Sequence, residues 1–291
     1  EGKRIGIKEY PLTCGTVKTA PHPNYWADLP MGIQAMLEGK IKAFYVPGCN
    51  IAVSNGDTRR TWEALKRLDF SVVVDLFMTP TAELADLVLP AAHWLEAELP
   101  TRAHQVMGPR QFNYILALRK VIEPVGDCWD DRKIVLELAK RMDIKTPWSH
   151  VGEFNDWLLE PVGIKFDDIK KRRSQMLAFP INYQQHEQKG FKTPSGKVEL
   201  YSSVFKNLGY DPLPYYVEPP ESPYSTPDLF REYPLILGNH RHIIYTNSEF
   251  RQLPSYRKVM PDPTIEINPE TAKNLGIDNG SEMWIERPGF E

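Results

Sequence analysis

In "VVVDLFMTPTAELADLVLPAAHWLE" (72–96) a run of valines stops at a carboxylate, Asp75, and the hydroxyl-flanked turn Thr79-Pro80-Thr81 follows before a second apolar run. A strand end needs only a polar turn, which Gly or Asn would supply, so these residue types invite a chemical reading. Asp75 can accept two hydrogen bonds side by side, which suits ribose hydroxyls or the N1–H and N2–H2 edge of guanine. Thr79 stands near the start of a short helix, where a hydroxyl and free amides favour a phosphate. Upstream, "VPGCN" ends another apolar run: Gly48 allows a backbone to approach a ligand closely, and Asn50 offers both a donor and an acceptor. Together Gly48, Asn50, Asp75 and Thr79 describe a nucleotide site. The sequence holds no G-x-G-x-x-G and no Walker A motif, so NAD and ATP are not the natural ligands. The same residues would also serve a capped turn, with Asp75 and Thr79 satisfying local amides.

For these side chains to meet, the elements must form an open parallel sheet, in which ligands sit off the carboxyl ends of the strands. The spacing predicts a helix over 23–40 ending at Gly39, a strand over 41–46, and a helix carrying Trp62, Leu65 and Leu68 with Thr58 as its N-cap. "SVVVD" is the next strand, parallel to the first, because the segment Pro47–Asp69 is long enough for a crossover. "TAELAD" is a short helical turn and "LVLP" a third apolar run whose pairing is open. Further helices are expected over 130–142, with Ile134, Val135, Leu138 and Met142 on one face, and over 165–177. In the latter, the basic run Lys170–Arg173 reads as a solvated face. "KTPSGKVELYS" reads as a turn feeding a strand. The proline-rich stretch 209–234 reads as an extended connection, and a β-rich segment follows from Tyr233.

Composition narrows the classes. With 291 residues, 42% hydrophobic and 25% charged, the chain can bury a full core of one large domain, or one and part of a second. A net charge of −3 leaves no electrostatic footprint for nucleic acid or an anionic membrane. No apolar stretch approaches the ~18 residues of a membrane span, since Asp75 and Asp86 interrupt the best candidate, and the opening residues lack the apolar stretch of a signal peptide. Cys14, Cys49 and Cys128 are far apart, with no C-x-x-C pair, and make neither a disulfide framework nor a metal site on their own. His93 and His104 are acid–base candidates by residue type, with packing or a loop hydrogen bond the favoured role.

"IKAFYVPGCN", "VVVDLFMTPTAELADLVLPAAHWLE", "CWDDRKIVLELAKRM", "TPSGKVELYS" and "INPETAKNLGIDNGSEMWI" resemble, in this order, stretches of the later half of the molybdopterin oxidoreductases of the DMSO reductase family. The resemblance implies an α/β fold: a Rossmann-like domain over 1–231, holding one molybdopterin guanine dinucleotide, then the opening of a double-psi β-barrel over 232–291. It implies Mo or W between two pterin cofactors, and a 4Fe-4S cluster whose cysteines lie in a first half of the polypeptide not represented here. That half would also carry the metal ligand, so no catalytic or metal-ligating residue is assigned in this chain. Gly48 and Asn50 match the family's first nucleotide loop, Asp75 and Thr79 the second, and Asp131 an acid near the nucleotide end. In "LILGNHRHIIYTNSEFRQLP", Gly238, Asn239, Arg241, Tyr245 and Ser248 match the loop that approaches the pterins, and His240 and His242 share that loop.

The chain departs from the family where "AELPTRAHQVMGPRQFNYILA" replaces a Gly-rich stretch, where Tyr245 stands in place of a common histidine, and where "GNHRH" replaces Thr-Gly-Arg. These departures resemble the branch that includes acetylene hydratase. The implied partners are the N-terminal half of the same polypeptide and an iron-sulfur electron-transfer subunit, in the cytoplasm or periplasm of a bacterium or archaeon. Two other classes share parts of the pattern. One is a cofactor-free scaffold domain like that of the large NADH dehydrogenase subunit, which would be expected to lose the Asp75–Thr79 pair. The other is an unrelated nucleotide-binding module, against which the barrel-like segment after 232 speaks.

Overall fold

The computed structural model describes residues 5–10, 27–102, 114–180 and 183–287; Cys14, His104 and the first residues of the helix expected from 23 lie outside them. A parallel sheet of order β1-β2-β3 is built from Ala43–Pro47, Phe70–Asp75 and Leu87–Pro90. The register runs Val46 to Val73 and Pro47 to Val74, then Val74 to Leu89 and Asp75 to Pro90. The open question of "LVLP" is thereby settled: it is a parallel neighbour of β2. Asp86 pins its start, accepting from Ser71 N at 2.7 Å and Ser71 Oγ at 3.0 Å.

The valines in the middle of β2 are buried because both faces of the strand are covered there. Val73 points to a cluster with Val46, Ile51, Ala52, Leu65 and Ala82, while Val74 joins Ala91 and Ile134 on the other side. Helices α1 (Leu29–Leu37) and α3 (Thr58–Lys66) pack together through Ile33, Met36 and Ala64. α1 is capped by Asp28, which accepts from Met31 N at 2.8 Å, and Gly39 follows it at φ +70, the left-handed position a glycine favours. α3 is capped by Asp57, not Thr58. The Asp57 carboxylate reaches Arg60 N at 3.1 Å while its own backbone sits at φ 50.

A second, antiparallel sheet, β4 (Leu99–Arg102), β5 (Tyr114–Leu118) and β6 (Met176–Ala178), was not expected from the sequence. It packs Ile115 and Ala117 against Leu159, Phe166 and Ile169. Those come from α6 (Val151–Leu159) and α7 (Phe166–Lys170), with α5 (Asp131–Arg141) preceding them. The helix expected over 165–177 therefore stops at Lys170. Met176 and Leu177 pair with β5 instead, and Leu177 packs against the cluster of Ile115, Leu159 and Phe166. In α5 the buried residues are Ile134, Leu136 and Ala139, whereas Val135, Leu138 and Met142 are exposed, so of the expected apolar face only Ile134 is buried.

Two compact units divide at Glu199 and Leu200, ahead of the proline-rich stretch. In the first, "TPSG" forms the expected turn, Gly196 N donating to Thr193 O at 3.0 Å, but no strand follows it. In the second unit the proline-rich stretch contains a short helix, Pro227–Glu232, contrary to the expectation of none; Pro227 occupies its first turn, where the missing N–H costs nothing. The expected barrel strands after Tyr233 form no ladder among the described residues; helices Pro254–Val259 and Pro269–Asn274 and one bridge, Thr246 to Glu249, are present instead. Strands of a barrel exist only through their neighbours' hydrogen bonds, and this stretch has no partner strands among the described residues.

Candidate nucleotide-binding edge

The carboxyl ends of β1 and β2 lie side by side, so their loops share one edge, as the parallel register requires. Gly48 turns the chain out of β1 at φ +58, its N–H donating to Val74 O at 2.8 Å. A Cβ there would meet nothing within 4 Å, so the left-handed backbone, not crowding, is what calls for glycine.

Asn50 is buried at the start of the short helix α2 (Ile51–Ser54). Its Oδ1 accepts from Thr81 Oγ1 at 2.8 Å, and Thr81 Oγ1 accepts in turn from Ala52 N at 3.0 Å. Thr79, 4% exposed, caps the one-turn helix α4 (Pro80–Glu83) by accepting from Ala82 N at 3.3 Å. That bond answers the capped-turn expectation for Thr79. Of the two hydroxyls in the turn, Thr81 was not singled out from the sequence; its only signal was its place in the hydroxyl-flanked turn.

Asp75 is half-buried and divides its carboxylate. Oδ1 accepts from Leu76 N at 2.7 Å and weakly from Phe77 N at 3.4 Å. Oδ2 receives no bond from the described residues. Both expected roles are thus compatible: one oxygen closes the loop and the other remains on the edge. Leu76, Phe77 and Met78, all well exposed, follow it and give the edge an apolar lip.

Asp131 opens α5 beside this edge. Loss of hydration, then the Asp130 and Asp75 carboxylates, raise its pKa above the usual aspartate range, against the opposing pull of Arg132. Burial first, and then Asp131, raise the Tyr45 phenol as well. Asp131 thus lies within electrostatic reach of both Asp75 and Tyr45. Asp130 caps α5 through Arg132 N at 2.9 Å and pairs with the Arg132 side chain. Arg132 also reaches Asn155 Oδ1 and Glu98 O, each at 2.6 Å, tying α5 to α6 and to β4.

His93 plays the structural part expected of it: Nδ1 accepts from Leu95 N at 3.3 Å. Buried Glu96 accepts from His93 N at 2.7 Å and Val125 N at 2.9 Å, and these amides hold its carboxyl below the usual range. Lys170 is not a solvated residue. Burial pulls its pKa down, but bonds to Asp167 and Glu98 outweigh that and leave it raised. Arg172 and Arg173 are exposed, as expected.

In the second unit, Asn239, His240, Arg241, His242 and Tyr245 line a cleft of about 520 Å³ with Arg251 and Arg257. Arg241 donates to Asn247 Oδ1 at 3.0 Å. Tyr245 is 7% exposed and its hydroxyl donates to Met260 O at 2.8 Å, so it anchors the loop. Gly238 and Ser248 lie outside the cleft lining. Among the described residues no group of three or more His, Cys, Asp or Glu could hold a metal ion, and no helix is long and apolar enough to cross a membrane.

Fold and edge define the class: an open parallel α/β unit with its polar side chains gathered at the carboxyl end of the sheet. Residues 28–141, which span that sheet and edge, match the molybdopterin oxidoreductase model. The chain belongs to the molybdopterin oxidoreductase family. It is 38% identical over 251 residues to the acetylene hydratase of Syntrophotalea acetylenica, covering 84% of this chain and 33% of that protein. It is 32% identical to the F420-dependent formate dehydrogenase subunit alpha of Methanocaldococcus jannaschii, over 90% of this chain and 37% of the relative. The solved acetylene hydratase from Pelobacter acetylenicus superposes with a TM-score of 0.78 at 35% identity, over 88% of this chain and 35% of that one. The chain thus spans about a third of the length of these relatives.

Membership implies a molybdopterin cofactor, and the edge offers such a group an open acceptor. Asp75 Oδ2 is an acceptor without a partner among the described residues, beside a turn where Gly48 keeps the backbone open.

Proposed function

We propose that this chain holds the guanine dinucleotide end of a molybdopterin guanine dinucleotide in a molybdenum or tungsten enzyme. The observation that carries the reading is the divided carboxylate of Asp75, which closes its own loop with one oxygen and leaves the other on the edge. When bound, the cofactor supplies the metal and the electron chemistry; the protein's task is to seat and orient it. Here Asp75 accepts from guanine N–H groups or ribose hydroxyls. Asp131 receives a further donor, and Gly48 keeps the backbone out of the way. We read 1–231 as the family's third domain and 232–291 as the opening of its fourth, with Asn239 and Arg241 on the pterin side. The 4Fe-4S cluster, the metal ligand and the electron-transfer partner belong to the remainder of such an enzyme. The 38% identity to a hydratase favours a branch whose net reaction is addition of water.

Asp75→Asn tests the reading. The amide oxygen can still cap Leu76 N, while Nδ2 replaces the outward acceptor with a donor. Losing a charged hydrogen-bond partner costs ~1.5–3 kcal/mol, roughly ten- to hundredfold in affinity. Cofactor content of the purified full-length protein should fall while its melting temperature holds. Normal loading with only a lower melting temperature would reduce Asp75 to a turn cap.

A further inference from the structure

Asn50 precedes α2 and Thr81 lies in α4, and both are nearly sealed from solvent, at 8% and 2% exposure. A side-chain amide can be seated either way round, and the choice decides whether a site presents a donor or an acceptor. Here the hydroxyl between them decides it. Thr81 Oγ1 accepts the backbone proton of Ala52, so its own proton needs an acceptor elsewhere. Asn50 Oδ1, 2.8 Å away, is the acceptor provided. With the amide reversed, Nδ2 would point its protons at the hydroxyl, and the Thr81 proton would be stranded in a nearly inaccessible position.

The consequence falls on the other end of the amide. Asn50 Nδ2 donates to nothing among the described residues. No side-chain nitrogen or oxygen among them is both sealed off and unpartnered. Nδ2 therefore reaches the surface, in the loop that leaves β1 for the carboxyl edge.

We infer that Thr81 is a positioning residue that locks the Asn50 amide with its nitrogen outward, so that Asn50 is a dedicated donor and the nucleotide atom it meets is an acceptor oxygen. The inference rests on the nucleotide reading above and deepens it. It assigns Asn50 and Asp75 opposite parts, donor and acceptor, on one edge. The oxygen is either the base carbonyl of guanine or a phosphate oxygen, and adenine separates the two because it carries a donor where guanine carries its carbonyl.

The test uses the full-length protein freed of cofactor, titrated with GDP and with ADP. Thr81→Val keeps the shape and removes the hydroxyl, and should weaken GDP binding about tenfold. Thr81→Ser keeps the hydroxyl and should return binding to within about twofold of wild type. Asn50→Asp keeps the bond from Thr81 but turns an anionic acceptor outward. It should lose GDP while melting near the wild-type temperature, which separates a ligand effect from a folding one. A loss confined to GDP assigns the oxygen to the base; an equal loss for ADP assigns it to a phosphate. If Thr81→Val binds GDP as wild type does and only melts lower, Thr81 is packing and the inference is wrong. If wild type itself ignores both nucleotides, the nucleotide reading goes with it.

Discussion

Arg132 joins three elements through one guanidinium, and its replacement by methionine keeps the aliphatic stem while deleting every donor. The bonds at stake run to Asn155 Oδ1 and Glu98 O at 2.6 Å and to Asp130 Oδ1 at 2.8 Å. Two of these acceptors keep a partner without it: Glu98 O still receives Asn155 Nδ2 at 3.1 Å, and Asp130 still caps Arg132 N. Asn155 Oδ1 keeps none, in a residue 2% exposed, and orphaning it costs ~1–3 kcal/mol. The ion pair, with side chains 19% and 18% exposed, adds ~1–2 kcal/mol, less than a sealed pair because water reaches both. The expected loss is about 3 kcal/mol, or about 6–12 °C in melting temperature for a unit of this size. Urea unfolding of the cofactor-free protein, followed by circular dichroism, measures it. Arg132→Lys, which restores charge but not the fork, should recover only part, and exposed Arg172→Met should change nothing. A loss under about 0.5 kcal/mol, or complete recovery by lysine, would refute the claim that the fork holds α5 to α6 and β4.

Lys170→Gln should cost about 1 kcal/mol at neutral pH, while Arg172→Gln and Arg173→Gln stay within about 0.5 kcal/mol. Because the folded pKa of Lys170 is raised, the gap should be full below the ordinary lysine range and close as pH rises through the raised value; a gap independent of pH in that alkaline window would assign the effect to packing. For Asp131 the sign reverses. Its folded pKa lies above the ordinary 3.8, so ionisation imposes a penalty that is absent below 3.8 and complete once pH passes the raised value. Asp131→Asn should therefore raise the melting temperature of the cofactor-free protein near neutrality and leave it unchanged in acid. A uniform shift across the range would sink the idea.

Much of the candidate edge could be read before the fold, because its signals are local. A valine run that ends in Asp75, a glycine after a proline at 47–48, and a segment long enough to cross over are statements about neighbours in the chain. They required a parallel pair and a shared carboxyl edge, and β1 and β2 have both. The second sheet escaped notice because β5 and β6 are separated by helices. Nothing in the short run at 176–178 announces that β5 will recruit it.

Sequence alone determined the parallel βαβ core, the loops that carry Gly48, Asn50, Asp75 and Thr79, and the family resemblance, since each depends on period, turn chemistry or motif. Tertiary structure decided which atom of each side chain is left for a ligand. Asn50 and Thr81 meet from the ends of two different crossovers, Asp75 divides its oxygens, and Lys170 finds Glu98 far away in the chain. Tyr245, whose loop the resemblance sets toward the pterins, gives its hydroxyl to Met260. The physical reason is common to all four: a residue type states how many hydrogen bonds a side chain can make, but only packing determines which of them the protein has already taken.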